Sequence, residues 1–256
     1  MAITALNSAA TGLRALSTRI DVIANNLANS ETVGYKRNVA LFQQRLTEAQ
    51  ARRRPDESDP LLDHIGGGIL CSPTLVDSSQ GDIEPTGNPL DVALHGNGFF
   101  AVDDHGKTKL TRDGRFMIDR ANQLVMASGN GQRVLDADGK PITLDGTQAH
   151  TIRIHDDGQI TQANAPIARL AVVDIPDPSK LVKQGAALLD YPNLTQSMKP
   201  SAAETRSGYV ERANVDPATE LSTLMDAQRQ LEANANMIRY QDQTLGRLVN
   251  EVGKIG

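Results

Sequence analysis

Two pairs of adjacent carboxylates, Asp103-Asp104 and Asp156-Asp157, are the first residues in this chain whose types could do chemistry. Paired carboxylates can share a proton or hold a cation, the basis of acid–base and metal sites. Both pairs stand in turn-like sequence beside glycine, at His105-Gly106 and Gly158, where side chains of this kind are ordinarily solvated. Asp136-Ala137-Asp138-Gly139 opens like a calcium loop, but it lacks the third ligand before the glycine and the Glu six residues beyond it. The histidines, His64, His95, His105, His150 and His155, show no paired metal spacing, and Cys71 has no second cysteine to bridge to. Gly96-Asn97-Gly98 lacks the third glycine and following helix of a dinucleotide loop, and Ser128-Gly129 lies in no nucleophile elbow. Asn193-Leu194-Thr195 matches a glycosylation sequon, a pattern short enough to arise by chance. The expectation is therefore a protein without catalytic residues, cofactor, metal or small-molecule substrate.

The elements that carry these residues fall into three stretches. Over residues 3–28, Ile3, Leu6, Ala10, Leu13, Ser17, Ile20, Ala24 and Leu27 recur three and four apart. That spacing predicts a helix with a heptad seam, about 39 Å long. Asn29 to Gly34 ends it with weak helix formers and a glycine. A second seam runs through Leu221, Leu224, Gln228, Leu231, Ala235, Ile238, Asp242, Leu245, Val249 and Val252. Asp216-Pro217 signals its start, with Glu220 in the first turn, where the helix dipole favours negative charge.

The middle of the chain reads as β. Tight-turn pairs recur at His105-Gly106, Asp113-Gly114, Asp138-Gly139, Asp145-Gly146 and Asp157-Gly158. Between them lie strand-like runs, among them Leu90–Leu94, Gly98–Val102, Thr151–Ile154 and Leu170–Val173, which predict an antiparallel sandwich or barrel. Residues 47–60, with Arg52-Arg53-Arg54-Pro55, read as a polar link, and residues 192–208 as a return link. The resulting division is 1–35 helix, 36–75 linker and extended hairpin region, 76–191 β domain, 192–208 linker and 209–256 helix. The expected fold class is α+β, with the N- and C-terminal helices pairing as a coiled-coil domain beside a central antiparallel β domain.

Composition narrows the function. Of 256 residues, 3% are aromatic and none is Trp, which favours thin domains or helices that bury their faces against other chains. The net charge of −5 argues against a nucleic-acid partner. No stretch approaches the ~20 apolar residues of a membrane span. The first residues carry neither a basic n-region nor an apolar h-region, which predicts a cytoplasmic protein or one exported by a route that reads no such signal.

Three stretches resemble the flagellar rod and hook protein family. The first is Ala9-Ala10-Thr11-Gly12-Leu13, Ile23-Ala24-Asn25-Asn26-Leu27-Ala28-Asn29 and Thr32-Val33-Gly34-Tyr35-Lys36-Arg37. The second runs from Gln80-Gly81-Asp82-Ile83-Glu84-Pro85-Thr86-Gly87-Asn88-Pro89-Leu90-Asp91 into Gly98-Phe99-Phe100-Ala101-Val102 and Thr111-Arg112-Asp113-Gly114-Arg115-Phe116. The third is Gly208-Tyr209-Val210-Glu211-Arg212-Ala213-Asn214-Val215-Asp216, then Leu224 to Arg229 and Glu232 to Ala235. Within the family, length and the Gln80–Asp91 segment fit the distal-rod subunit best, with the proximal-rod and hook subunits next.

The resemblance implies a structural subunit of the basal-body rod, polymerising into a hollow helical tube that transmits torque from motor to hook. It implies a homo-oligomer whose partners are other rod proteins, hook subunits, the P- and L-ring proteins and the flagellar export apparatus, located in the periplasm after export without a cleaved signal. The residues expected at subunit interfaces are Leu6, Leu13, Ile20, Asn25, Asn26, Leu27 and Asn29 in the first helix, and Leu224, Gln228, Leu231, Ile238 and Leu245 in the last. A soluble binding module dimerised by its helices is the reading from another class.

Overall fold

The computed structural model describes residues 2–44, 68–129, 131–185, 187–192 and 194–252. The polar link at 47–60, Arg52 to Arg54 and His64 lie outside the described residues. The chain divides into two compact units: residues 1–27, 39–74 and 217–256 form one, and residues 28–38 and 75–216 the other.

In the first unit the N-terminal helix spans Ala2–Ala28, uninterrupted by proline. The C-terminal helix spans Pro217–Val252, beginning at the proline whose missing N–H costs nothing in a first turn. A two-stranded ribbon, Phe42–Gln44 against Ile69–Cys71, completes the unit. It is fastened to the N-terminal helix by Thr11, whose hydroxyl accepts from the Ile69 amide at 3.2 Å and donates to the Ser8 carbonyl at 2.8 Å.

The helices do not form the expected coiled coil; what stands there is one N-terminal and one C-terminal helix beside a mostly antiparallel β structure. Knobs-into-holes packing needs large apolar side chains at both seam positions, turned towards the partner helix. Ala10, Ser17 and Ala24 of the expected first seam are exposed, and the buried side chains are Ala15, Ile23 and Asn26 instead. On the last helix Leu221 and Gln228 are exposed, while the buried positions are Glu220 and Ala227, one residue earlier in the heptad. The large apolar side chains Leu221, Met225, Met237 and Tyr240 point to solvent. On the C-terminal helix the groove between the helices is lined by Gln230, Ala233 and Asn234, none a large apolar side chain, while Leu16, Phe42 and Ile69 line it from the N-terminal helix and the ribbon.

The second unit is β throughout most of its length, and its strand pairings are antiparallel. The Phe99–Asp104 strand is its centre. One edge pairs with Lys107–Thr111 across the two-residue His105-Gly106 turn, both residues at positive φ as that turn requires. The other edge is shared by Val172–Asp174 near its start and Arg133–Val134 near its end. The sheet continues through Leu124–Met126 to Phe116–Ile118 on one side, and through Leu188–Asp190 to Val182–Gln184 on the other. A three-stranded sheet is made by Ile152–Ile154, Gln159–Gln162 and Ala165–Arg169.

Successive side chains of a strand point to opposite faces, so an apolar run with no polar alternation must bury both. Phe99–Val102 does so. Phe100 and Val102 enter one core with Val92, Leu94, Phe116, Leu124 and Met126, where the Phe100 and Phe116 rings meet edge-on at 5.2 Å. Phe99 and Ala101 enter a second core with Leu110, Leu135, Val173, Leu189 and Tyr191.

Not every Asp-Gly pair is a tight turn. Asp145 caps a short 3-10 helix, Gly146–Thr151. At Asp113-Gly114 the carboxylate is fully buried and ion-paired with Arg115, and Gly114 is demanded by the Val92 carbonyl, which a Cβ would strike.

Candidate functional site

The end of the N-terminal helix leads directly into a densely bonded part of the second unit. Asn29 stops the helix and starts a turn: its carbonyl accepts from the Thr32 amide at 3.0 Å, and its side chain from the Thr32 hydroxyl at 3.3 Å. Gly34 then takes φ +68°, and a Cβ there would run into the backbone of Arg112 and Asp113. Only glycine satisfies both conditions. Its amide donates to the Glu211 carbonyl at 2.7 Å, which joins the way into the unit to the way out of it.

Two residues on, Lys36 meets the Glu211 side chain. Lys36 Nζ donates to Glu211 Oε1 at 2.6 Å and to the Ser79 carbonyl at 2.7 Å. Arg112 Nη1 donates to Glu211 Oε2 at 2.8 Å, and its Nη2 to the Gly96 carbonyl at 2.7 Å. The Gly81 amide adds a further bond to Oε1 at 2.9 Å. The three side chains are 0–2% exposed. Burial pushes the Lys36 amine below its ordinary range, the Glu211 carboxylate opposes that shift, and the neighbouring Arg112 charge reinforces it.

Asn214 extends the clasp. Its Oδ1 accepts from the Arg37 amide at 2.7 Å, and its Nδ2 donates to the Asp77 carbonyl at 3.0 Å and to Ser79. Above it, Lys183 Nζ lies 3.3 Å from the centre of the Tyr35 ring.

The arrangement is built to hold, not to react. Each oxygen of Glu211 is taken by an intramolecular donor and no face of the cluster opens to solvent. The carboxylate pairs are equally bland. Asp103 accepts from the Gly106 amide and pairs with Arg133, while Asp104 bonds His105. Asp156 and Asp157 line an open groove beside Arg169 and Lys199. Among the described residues no cluster of His, Cys, Asp and Glu could hold a metal ion, and no helix is long and apolar enough to cross a membrane.

The expected interface residues differ in exposure. Leu13, Ile20, Leu27, Asn29, Leu224, Leu231 and Ile238 are half-buried, Asn25 and Gln228 are exposed, and Asn26 is buried within the chain. The side chains of Leu6 and Leu245 lie outside the described residues. Lys36, Arg112 and Glu211 each lie in one of the three family-like segments, yet the sequence alone assigns none of them a role. Each stands among other charged residues, Arg37 beside Lys36, Asp113 and Arg115 beside Arg112, and Arg212 beside Glu211, so nothing local singles it out.

Comparison with known proteins matches three family descriptions along the chain. "Flagella basal body rod protein" covers residues 6–36, "Flagellar hook protein FlgE/F/G D1 domain" residues 93–162, and "Flagellar basal body rod FlgEFG protein C-terminal" residues 206–251. Each contributes one member of the ionic clasp: Lys36, Arg112 and Glu211 in turn. Among whole-chain relatives, the flagellar basal-body rod protein FlgF of Caulobacter vibrioides is 31% identical over 94% of both chains. The flagellar hook-basal body complex protein FlhP of Bacillus subtilis is 31% identical over 96% of this chain and 97% of its own. The flagellar basal-body rod protein FlgG of Buchnera aphidicola subsp. Baizongia pistaciae is 33% identical over 96% of this chain and 98% of its own.

Proposed function

We propose that this chain, which belongs to the flagellar basal-body rod protein family and is a structural subunit of the rod and not an enzyme, builds the distal part of that rod. In this reading copies of the chain polymerise in the periplasm after delivery through the flagellar export apparatus. The polymer carries torque between motor and hook and contacts other rod proteins, hook subunits and the ring proteins around it.

The observation that carries the reading is the clasp. A subunit that transmits torque needs a β unit that does not open under load, and one buried carboxylate here joins both ends of that unit to its middle. The exposed Leu221, Met225, Met237 and Tyr240 supply apolar surface for neighbouring copies. The distal position is supported by length and by the Gln80–Asp91 segment. A proximal position is the second reading, favoured by the FlgF relatives, which match at similar identity and coverage.

Purified hook-basal bodies, probed with antibody to this chain, test the proposal. Label on the rod segment next to the hook is expected. Label confined to the motor end would establish the proximal reading, and basal bodies without the chain would sink both. Met225→Glu and Tyr240→Glu are expected to block incorporation while leaving the circular dichroism of the purified subunit unchanged.

A further inference from the structure

Lys36 and Arg112 bring two positive charges into a space where their side chains are 1% and 2% exposed. The carboxylate that bonds both belongs to Glu211. Chain order makes this arrangement unequal in time. Glu211 follows Lys36 by 175 residues and Arg112 by 99. A chain delivered from its N-terminus therefore presents both cations, together with the Ser79 and Gly96 carbonyls that orient them, well before their counter-charge.

A β unit that closed without Glu211 would bury two like charges side by side. Arg112 already disfavours the charged form of Lys36 in the complete structure. Asp77 also acts on Lys36, in the favourable direction, but as the smallest of the contributions. Lys36 could escape by losing its proton; Arg112 could not, because a guanidinium stays charged at any ordinary pH. Leaving a buried charge uncompensated is among the most destabilising things a fold can do. The core strands Val92–His95, Phe99–Asp104 and Lys107–Thr111 lie between these cations in sequence or next to them, so the penalty falls on the centre of the unit.

We propose that Lys36, Arg112 and Glu211 form a completion lock, in which the two cations keep the β unit open until the strand Tyr209–Glu211 arrives and neutralises them. The lock is a property of the single chain and stands or falls independently of the rod assignment.

The test is refolding of the full chain from urea, followed by pulsed hydrogen exchange and mass spectrometry of peptides. In the natural sequence, residues 99–111, whose strand partners all precede residue 190, are expected to gain protection in the same kinetic phase as residues 209–211. In Lys36→Met/Arg112→Met/Glu211→Gln, which removes all three charges, residues 99–111 are expected to become protected about tenfold or more before residues 209–211. If the core of the natural sequence is protected ahead of the last strand, the lock does not exist. If the phases stay merged in the uncharged variant, strand pairing and not charge times the event, and the proposal is equally overturned. Should that variant fail to fold, Arg112→Met alone takes its place, leaving against the carboxylate only Lys36, which can shed its proton, with the same two outcomes.

Discussion

Lys183 stands over Tyr35, its ammonium nitrogen 3.3 Å from the centre of a ring that is itself 1% exposed. The nitrogen is buried and has no hydrogen-bond partner among the described residues, so the ring face is its only compensation. Burial pushes its pKa down to about 7. The unfolded chain, with an ordinary lysine near 10.5, then binds more protons than the folded one between pH 7 and about 10.5. Stability from this group therefore rises as pH rises through that window and is flat below it. Urea titrations at pH 7, 8, 9 and 10 should show this upward slope. Lys183→Met should flatten it and raise the midpoint at pH 7 to 8; an unchanged slope would show that Lys183 remains charged in the fold.

Glu211 answers to a different rule. Gln at this position keeps the shape but removes the charge, leaving Lys36 and Arg112 buried without a counter-ion. The expected cost is about 3–5 kcal/mol, the usual consequence of breaking a buried pair from one side. Replacing all three members by uncharged side chains of similar size should cost much less, because no orphan charge remains. Chemical denaturation of the two variants compares these directly, and similar losses in both would mean that packing and not charge sets the effect.

Gly34 and Gly106 share a positive φ but not their surroundings. Around Gly106 there is open space, whereas a Cβ on Gly34 would meet the Arg112–Asp113 backbone. Gly106→Ala should therefore cost only the conformational term, about 1–2 kcal/mol. Gly34→Ala should cost clearly more and should also disturb its bond to Glu211, visible as faster amide exchange at residue 34.

Ala163 is held at φ 51° and Asn164 at φ 67° in the turn between Gln159–Gln162 and Ala165–Arg169. Asparagine tolerates that region; alanine has no side-chain bond to repay it. Ala163→Gly should raise stability by about 1 kcal/mol, measured as an increase in Tm. A fall in Tm would show that the alanine methyl contributes packing that outweighs its strain.

These particulars show which parts of the molecule were written in local sequence. The His105-Gly106 turn and the doubly buried Phe99–Val102 run were legible, because a two-residue turn and a two-faced apolar strand depend on neighbours only a few residues away. The heptads of the terminal helices misled. Alanine is acceptable at a seam and beside one, so Ala227 and Gln228 could each take the inward place, and the fold buries Ala227. The clasp was beyond local reading altogether. Lysine, arginine and glutamate at 36, 112 and 211 look like ordinary surface charges until the Tyr209–Glu211 strand is set against Ile83–Pro85.

The neighbouring entry and exit of the β unit carry an engineering consequence. Gly34 bonds Glu211, Arg37 bonds Asn214, and Asn214 in turn bonds Tyr35, so the chain leaves the unit beside the point where it came in. A module whose two ends lie that close can be exchanged like a cassette. A foreign β domain with adjacent termini, spliced between residues 74 and 208 so that the Phe42–Gln44/Ile69–Cys71 ribbon stays with the first unit, would need to reproduce only that short junction.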